Sequence, residues 1–204
     1  MPEIRPVAPA DLDALYEICL KTGNSGQDAT ALYDDPRLVG EVYAAPYAVL
    51  RPDLAFVVED QHGVAGYVLG TDDTRGFEAR LQADWWPRLR GIHADPRPTP
   101  RAERTRDQQR AAQIHRPIPE PEALVAAWPA HLHINLLPRL QGQDLGRRML
   151  DTWLNAARAK GVRGVHLGCD AVNHRALRFY EAYGWRRFDT DPPWPGTVWM
   201  VLDL

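Results

Sequence analysis

Residues 131–146 read HLHINLLPRLQGQDLG, and the rest of the chain can be interpreted around them. The first seven residues, 131–137, alternate in the way that a half-buried strand does. Pro138 is expected to end the strand, because proline has no N–H for the ladder. The glycine-bearing segment 141–146 then turns the chain into a helix. The stretch therefore predicts a strand, a glycine turn and a helix in direct succession.

The helix after the turn carries an apolar stripe at helical spacing. Its members are Leu145, Met149, Leu150, Trp153, Leu154 and Ala157. Gly161 is expected to end this helix, and a short apolar strand follows at 165–169. A second helix is predicted over 173–183, closed by Gly184 in the left-handed conformation that glycine adopts without strain.

A turn that opens a helix has a specific electrostatic property. The first backbone N–H groups of a helix have no partner inside it, and the positive end of the helix dipole lies at the same point. Such a turn suits a phosphate group. The segment 141–147 is therefore a candidate phosphate-binding turn.

Both halves of this region resemble the GNAT superfamily of acyl-CoA-dependent N-acyltransferases. The family's pyrophosphate loop has the pattern Arg/Gln-x-x-Gly-x-Gly/Ala after a strand-ending proline, and Gln141, Asp144 and Gly146 occupy its marked positions behind Pro138. The family's last helix has a second pattern, reproduced by Asn173, Ala176, Phe179, Tyr180, Gly184 and Trp185. Two motifs in the right order are far more specific than either alone.

The resemblance implies an α/β (α+β) fold with a mixed, mostly antiparallel sheet whose fourth and fifth strands splay apart. It implies acetyl-CoA as cofactor and direct attack by an amine, with the Leu136 backbone stabilising the oxyanion and Tyr180 as general acid. A phenol with a pKa of about 10 can protonate a thiolate of pKa about 8.5. The residues that the resemblance assigns to coenzyme A are Leu136, Leu137, Gln141, Gly142, Gln143, Asp144, Leu145, Gly146, Arg147, Asn173, Ala176, Phe179 and Tyr180.

Asp144 departs from the family pattern, which usually has glycine there. Its carboxylate would cost on the order of 3 kcal/mol if it lay roughly 6 Å from a diphosphate charge. Alternatively, Asp144 caps the following helix, with Arg147 and Arg148 near enough to offset its charge. We favour the cap and retained cofactor binding.

The N-terminal half supplies three more strands, predicted at 3–7, 54–59 and 64–71. Residues 60–63 read as the hairpin turn between the second and the third strand. A helix is expected to start near Pro9, and a second helical stretch over 38–50 is interrupted near Pro46.

Residues 72–130 form a longer connection between the third and fourth strands than a plain GNAT core needs. We predict helices at 77–89 and 103–114 and a short helical turn before Trp128. Trp85, Trp86 and Trp128 argue against disorder. The insert is a lid that shapes the acceptor site, or these tryptophans merely anchor it to the sheet; for any single tryptophan we favour the anchor.

A narrower resemblance covers nearly the whole chain, including the insert. Arg5-Pro6, residues 66–71 and Trp86-Pro87 are similar to the acetyltransferase-like C-terminal domain of eukaryotic O-GlcNAcases. Because acetyl transfer by that domain is disputed, two functions stay open. One is an N-acetyltransferase acting on an unidentified small-molecule or peptide amine, and the other is a silent module that binds acetyl-CoA or another ligand.

Composition limits the remaining possibilities. A chain of 204 residues with 45% hydrophobic content predicts a single domain, 1–204, with a real core. A net charge of −3 gives no basic footprint for nucleic acid, and no apolar run predicts a membrane span. Cys19 and Cys169 read as core thiols of a cytoplasmic protein, either a monomer or a homodimer. A dinucleotide fold is excluded, since the Gly-x-Gly-x-x-Gly spacing is absent.

The general base is not fixed by the sequence. Five residues on or beside strands are candidates: His131, His133, Asp170, Glu59 and Asp60. A lone histidine on a strand is more often structural than catalytic, so no single one is chosen. No spacing typical of a metal site is present, and none is expected.

Overall fold

The computed structural model describes residues 2–204 and contains a mixed sheet of seven strands in the order β1-β2-β3-β4-β5-β7-β6. The strands are β1 Glu3–Pro6, β2 Ala55–Asp60, β3 Gly63–Thr71, β4 Ala130–Leu136, β5 Gly164–Asp170, β6 Arg186–Phe188 and β7 Thr197–Asp203. The helices are α1 Leu12–Thr22, α2 Leu38–Tyr43, α3 Ala45–Leu50, α4 Thr74–Arg80, α5 Trp86–Ile92, α6 Arg106–His115, α7 Glu122–Ala127, α8 Leu145–Ala159 and α9 His174–Tyr183. All strand pairs are antiparallel except β4 with β5. The predicted fold class is confirmed.

The succession predicted from residues 131–146 is present. β4 ends at Leu136, a 3₁₀ turn covers Pro138–Leu140, and α8 begins at Leu145. The whole apolar stripe predicted for α8 is buried, with Trp153 fully enclosed and its indole N–H donating to the Leu54 carbonyl at 3.0 Å. This stripe fixes α8 against the sheet and so positions the turn in front of it.

β4 and β5 separate, as the resemblance implied. They pair only through Ala130 with Val165 and His131 with His166, although both strands continue to Leu136 and Asp170. Each strand keeps its other neighbour along most of its length, β3 for β4 and β7 for β5. The sheet therefore opens into a wedge toward the C-terminal ends of β4 and β5.

The two faces of the sheet carry different helices. α8 and α9 share one apolar cluster with β4 and β5, in which Met149, Leu177 and Met200 are buried. α1, α2 and α3 pack on the opposite face, around Leu15 and Tyr67. The N-termini of α8 and α9 both follow the separating ends of strands, so both helices begin at the mouth of the wedge.

The insert between β3 and β4 packs onto α1 and α2. Trp85 and Trp86 are buried in one cluster with Tyr16 and Leu38, and the Trp85 indole N–H donates to the Glu41 carbonyl at 2.9 Å. Trp128 instead donates to Asp203 at 2.7 Å. The three tryptophans anchor the insert, as favoured for each of them from the sequence.

One predicted helix of the insert is divided. In place of a continuous helix over 77–89, α4 and α5 flank a π-helical turn at Leu81–Trp85. Pro87 provides the reason, because a proline ring clashes with the carbonyl four residues earlier, here Ala83, and a wider turn relieves the clash.

Two C-terminal strands were not anticipated. β7 inserts between β5 and β6, pairing with β5 from Gly164 opposite Asp203 to Asp170 opposite Thr197. β7 pairs with the edge of β5 opposite β4, and it stays paired along the part of β5 from which β4 has separated. Both cysteines are free and buried, as expected, and burial raises the pKa of each thiol to about 11. Residues 2–204 contain no helix with the length and apolarity needed to cross a bilayer.

Candidate active site

The wedge between β4 and β5 opens into a cavity of about 910 Å³, which we call the wedge cavity. Its walls are residues 132–136 of β4, 167–170 of β5, the start of α8 and the first half of α9. Part of the loop after α1, including Ser25 and Gly26, covers one side. No residue of the insert 72–130 lines this cavity, so the structure gives no support to the insert as its lid.

The backbone of Leu136 faces into the wedge. Leu137 lies opposite Ala65 and donates its N–H to the Ala65 carbonyl at 2.8 Å, which makes this a hydrogen-bonded pair of the antiparallel ladder. Because bonded and non-bonded pairs alternate, the N–H and C=O of Leu136, opposite Gly66, point away from β3. The Gln141 amide donates to the Leu136 carbonyl at 2.7 Å, which leaves the Leu136 N–H available to a molecule in the wedge.

The turn before α8 presents a set of unpaired backbone donors. Within residues 2–204, the N–H groups of Gln143, Leu145, Gly146 and Arg147 have no protein acceptor. Gly142 and Asp144 both have positive φ, 73° and 59°, and Gly146 and Arg147, which follow them, line the wedge cavity. The predicted phosphate-binding turn therefore has its amides free for an anion.

Asp144 occupies the N-cap position of α8, but the predicted capping bond is absent. The side chain of an N-cap residue accepts its hydrogen bond when the residue's own backbone is extended. The backbone of Asp144 is left-handed instead, and its side chain makes no capping bond. No ion pair to Asp144 is present in the part of the chain that the structure describes, including with Arg147 and Arg148. Aspartate is one of the few residue types with a side chain that tolerate the left-handed conformation found at Asp144.

Most of the predicted cofactor residues surround the wedge cavity. Those that line it are Leu136, Gln141, Gly142, Asp144, Gly146, Arg147, Asn173, Ala176, Phe179 and Tyr180. Leu137, Gln143 and Leu145 do not. The Leu145 side chain is in the core, and the Gln143 amide donates to Arg139, so these two offer only backbone N–H groups. The Leu137 N–H is already used by Ala65.

Tyr180 lies at the wall of the cavity and is only 8% exposed. Burial, with a smaller contribution from Cys169, raises the pKa of its phenol well above the usual value of 10. Its hydroxyl has no hydrogen-bond partner among residues 2–204. Tyr180 is thus held protonated, with an unused donor, beside the cavity.

Asn173 also has a structural role. Its side chain caps α9 by accepting the Ala176 N–H at 3.1 Å. It also lies against the loop after α1, since a Cβ on Gly26 would be 3.4 Å from its amide nitrogen. Ser25 of this loop donates to Asp170 at 2.7 Å. The loop therefore closes over the C-terminal end of β5.

The histidines of β4 belong to one hydrogen-bonded chain. The Tyr47 hydroxyl lies 2.8 Å from His131 Nε2 and 3.1 Å from His133 Nε2. Thr74 donates to the Pro129 carbonyl, so it accepts from His131 Nδ1–H at 2.7 Å. His131 Nε2 must then accept the Tyr47 proton, and the Tyr47 oxygen accepts from His133 Nε2–H. This order leaves the lone pair of His133 Nδ1 free.

Burial favours the neutral form of both imidazoles on β4. Burial lowers the pKa of His133 to about 4 and that of His131 to about 3. His133 lines the wedge cavity, whereas His131 is enclosed behind it. Of the two, only His133 can exchange a proton with a molecule in the wedge.

A second polar cluster lies behind the cavity. Glu120, His131 and His166 have ligand-type atoms within 4.8 Å of one another, a grouping that sequence spacing did not reveal. His166 is enclosed and faces acceptors on both sides, the Trp128 carbonyl at Nδ1 and Glu120 at Nε2. The contact between His166 and Glu120 ties the insert to β5.

The other three candidate bases differ in whether they line the wedge cavity. Glu59 pairs with Arg5 at 2.6 Å and Asp60 with Arg139 at 3.0 Å, and neither lines the cavity. Asp170 does line it, where it accepts from Ser25 and from the Val172 N–H. The structure thus retains His133 and Asp170.

Several residues at this site were missed by sequence reasoning. Tyr47 lies in α3, about 85 positions from the histidines that it joins, and no local pattern marks it. The loop residues Ser25 and Gly26 lie in the segment 23–26, GNSG, whose composition indicates a loop but no binding role. His174 and Arg175, in the first turn of α9, also line the cavity.

This chain is similar to a known protein family and to solved structures. A profile of the Acetyltransferase (GNAT) family matches residues 13–185. The crystal structure of SsHAT superposes with a TM-score of 0.89 at 38% identity, covering 99% of this chain and 98% of that one. The structure of yncA from Salmonella typhimurium with its cofactor acetyl-CoA has a TM-score of 0.57 at 17% identity, over 100% and 94% of the two chains. At that identity the likeness concerns the fold alone.

Curated relatives are also found. Protein O-GlcNAcase of Rattus norvegicus is 25% identical over 186 residues, which make up 89% of this chain and 20% of the relative. The Mus musculus protein matches with the same values. The chain thus spans about a fifth of the length of these relatives.

Proposed function

The chain belongs to the Acetyltransferase (GNAT) family, and from that membership we propose that it binds acetyl-CoA in the wedge cavity and transfers the acetyl group to an amine. The observation that carries the proposal is a continuous series of free donors along one cavity. The N–H groups of the turn 143–147 suit a diphosphate, and the N–H of Leu136 suits a carbonyl oxygen deeper in the wedge.

Acetyl-CoA, when bound, supplies an acetyl thioester that an amine can attack. The Leu136 N–H stabilises the negative charge that develops on the carbonyl oxygen. Tyr180 donates its proton to the departing thiolate and regains one from solvent. Burial keeps the phenol protonated at neutral pH by raising its pKa, and it also makes the phenol a weaker acid than free tyrosine. The amine loses one proton, so the products are an amide and free coenzyme A.

His133 is the base that accepts the amine's proton. Its Nδ1 carries the free lone pair, and Tyr47 fixes the ring in this tautomer by accepting from Nε2–H. A buried imidazole is a weak base, but it meets its proton only after the nitrogen has bonded to the acetyl carbon and become strongly acidic. Asp170, at the rim, already accepts two hydrogen bonds and is the less favourable choice.

We expect His133→Ala to lower kcat by about a hundredfold, the usual contribution of a positioned base, with little change in acetyl-CoA affinity. Since burial holds the pKa of His133 near 4, titration of this group should add no loss of kcat between pH 8 and pH 5 beyond the fall caused by protonation of the amine acceptor, whose pKa is about 10.4 for a lysine side chain. The measurement is kcat against pH for the wild type, His133→Ala and Asp170→Asn. A wild-type acid limb near pH 6.5, or a larger loss in Asp170→Asn, contradicts the assignment.

Asp144 gives a prediction about affinity. We expect Asp144→Gly to bind coenzyme A about fivefold more tightly at low salt, because a carboxylate at the turn opposes the diphosphate. The matched variant Asp144→Asn removes the charge but keeps a side chain that accepts a positive φ. Calorimetry should show tighter coenzyme A binding in both variants. Only Asp144→Gly should also remove the strain of a positive φ at a residue with a side chain. Unchanged affinity in both variants shows that the carboxylate is turned away from the ligand.

The direct test of function is acetyl transfer from acetyl-CoA to a panel of amines and lysine peptides, with products identified by mass spectrometry. An acetylated acceptor together with released coenzyme A supports the proposal. Tight acetyl-CoA binding without turnover over the whole panel favours a silent binding module instead, an outcome that the unpaired charge of Asp144 makes worth testing. The two buried free thiols are compatible with a reducing compartment, and we propose the cytoplasm.

A further inference from the structure

The first turn of α9 forms a cationic edge of the wedge cavity. His174 and Arg175 line the cavity, and both are exposed. Within residues 2–204, neither side chain makes an ion pair or a hydrogen bond. An exposed arginine that lines a cavity and has no protein partner is free to meet an anionic ligand.

Arg175 lies beside the phosphate-binding turn. Phe179 approaches the start of α8 so closely that a Cβ on Gly146 would be 3.3 Å from its ring. Arg175 precedes Phe179 by four residues, which places it on the same face of α9, one turn of about 5.4 Å nearer the N-terminus. Arg175 therefore lies at the rim of the cavity, on the face of α9 that Phe179 turns toward the start of α8.

The other charged groups that line the cavity already have a protein contact or carry a negative charge. Arg147 lies over the ring of Tyr183, with 5.3 Å from guanidinium carbon to ring centroid. Asp170 accepts from Ser25 and Val172, and Asp144 is an acid. Arg175 is thus the permanently charged cation of the cavity rim that no other described group engages.

We propose that Arg175 binds the 3′-phosphate of coenzyme A. This inference rests on the proposed function, which assigns the diphosphate of the same ligand to the free amides of the turn. Those amides cannot also neutralise the separate phosphate on the ribose, which carries the highest charge of the ligand. The chain therefore distinguishes coenzyme A from its 3′-dephospho form, and Arg175 makes the distinction.

The test is isothermal titration of the full chain with coenzyme A and with 3′-dephospho-coenzyme A. The variants are Arg175→Ala and, as the matched control, Arg178→Ala, an exposed arginine on the same helix that does not line the cavity. We expect the wild type and Arg178→Ala to prefer coenzyme A by about five- to tenfold, the range for a charged contact discounted for solvent. Arg175→Ala should lose most of that preference while keeping its affinity for the dephospho form.

Each outcome has a separate meaning. A preference for coenzyme A that persists in Arg175→Ala, or an equal loss of affinity for both ligands, overturns the role of Arg175 while leaving the proposed function intact. Failure of the wild type to bind either ligand overturns both. A preference that falls as salt is raised agrees with the ionic contact.

Discussion

Tyr180→Phe is expected to lower kcat by about a hundredfold to a thousandfold while leaving the affinity for acetyl-CoA nearly unchanged. The substitution removes only the hydroxyl from a side chain that is packed against Phe179 and Trp185, so the wall of the cavity keeps its shape. What is lost is the proton for the departing thiolate, and a positioned general acid contributes about this factor. The measurement is steady-state kinetics together with calorimetric binding of acetyl-CoA.

Tyr183→Phe is the matched control for this change. Tyr183 lies one turn further along α9, bonds to Asp151 and does not line the cavity. Its loss should leave kcat within about twofold of the wild type, since surface changes are usually small. Equal kcat values in Tyr180→Phe and the wild type would show that Tyr180 is not the general acid and that solvent protonates the thiolate.

Gly146→Val is expected to weaken acetyl-CoA binding by about a hundredfold or more. A Cβ at this position would already lie 3.3 Å from Phe179 and 3.5 Å from Leu136, so the two further methyl groups must extend toward the mouth of the wedge. They would cover the first N–H groups of α8. Losing roughly two charge-assisted hydrogen bonds costs about 3 kcal/mol, which is a hundredfold in affinity.

The control here is Gly91→Val, in an exposed stretch of α5 where an added Cβ meets nothing within 4 Å. It should bind acetyl-CoA like the wild type, with an unchanged or slightly higher Tm, because valine has a higher helix propensity than glycine. Thermal unfolding of Gly146→Val must show a folded protein for the comparison to hold. A folded Gly146→Val that binds acetyl-CoA normally would mean that the diphosphate lies elsewhere.

The features that could be predicted from the sequence are those encoded locally. The alternation of residues 131–137, the stripe of α8 and the left-handed Gly184, with φ at 117°, each follow from a short pattern whose physical cause lies within a few residues. The same is true of the turn, because unpaired N–H groups are a property of every helix start. Local patterns therefore identified most of the residues that line the β4–β5 side of the wedge cavity at the turn and α9.

The features that were missed depend on contacts between distant segments. Tyr47 selects the tautomer of His133 from another element, and the Glu120–His166 contact joins the insert to β5. The capping hydrogen bond expected of Asp144 is absent for a related reason. Its residue type indicated a cap, but the backbone of the turn determines where its carboxylate can point.

β7 was overlooked because nothing within its own stretch shows that β5 needs a new neighbour. Where β4 separates from β5, β5 keeps ladder hydrogen bonds only to β7 on its opposite edge, a relation that only the assembled sheet reveals. The wedge is therefore a product of topology as much as of the motif beside it.

The central claim is that the backbone amides of the turn 143–147 and of Leu136 bind coenzyme A along the wedge. NMR titration of ¹⁵N-labelled protein with coenzyme A follows each of these amides individually. The account predicts that Gly146, Arg147 and Leu136 show the largest shifts, saturating together with one Kd. Saturable binding that leaves these three signals in place and moves another surface would contradict it.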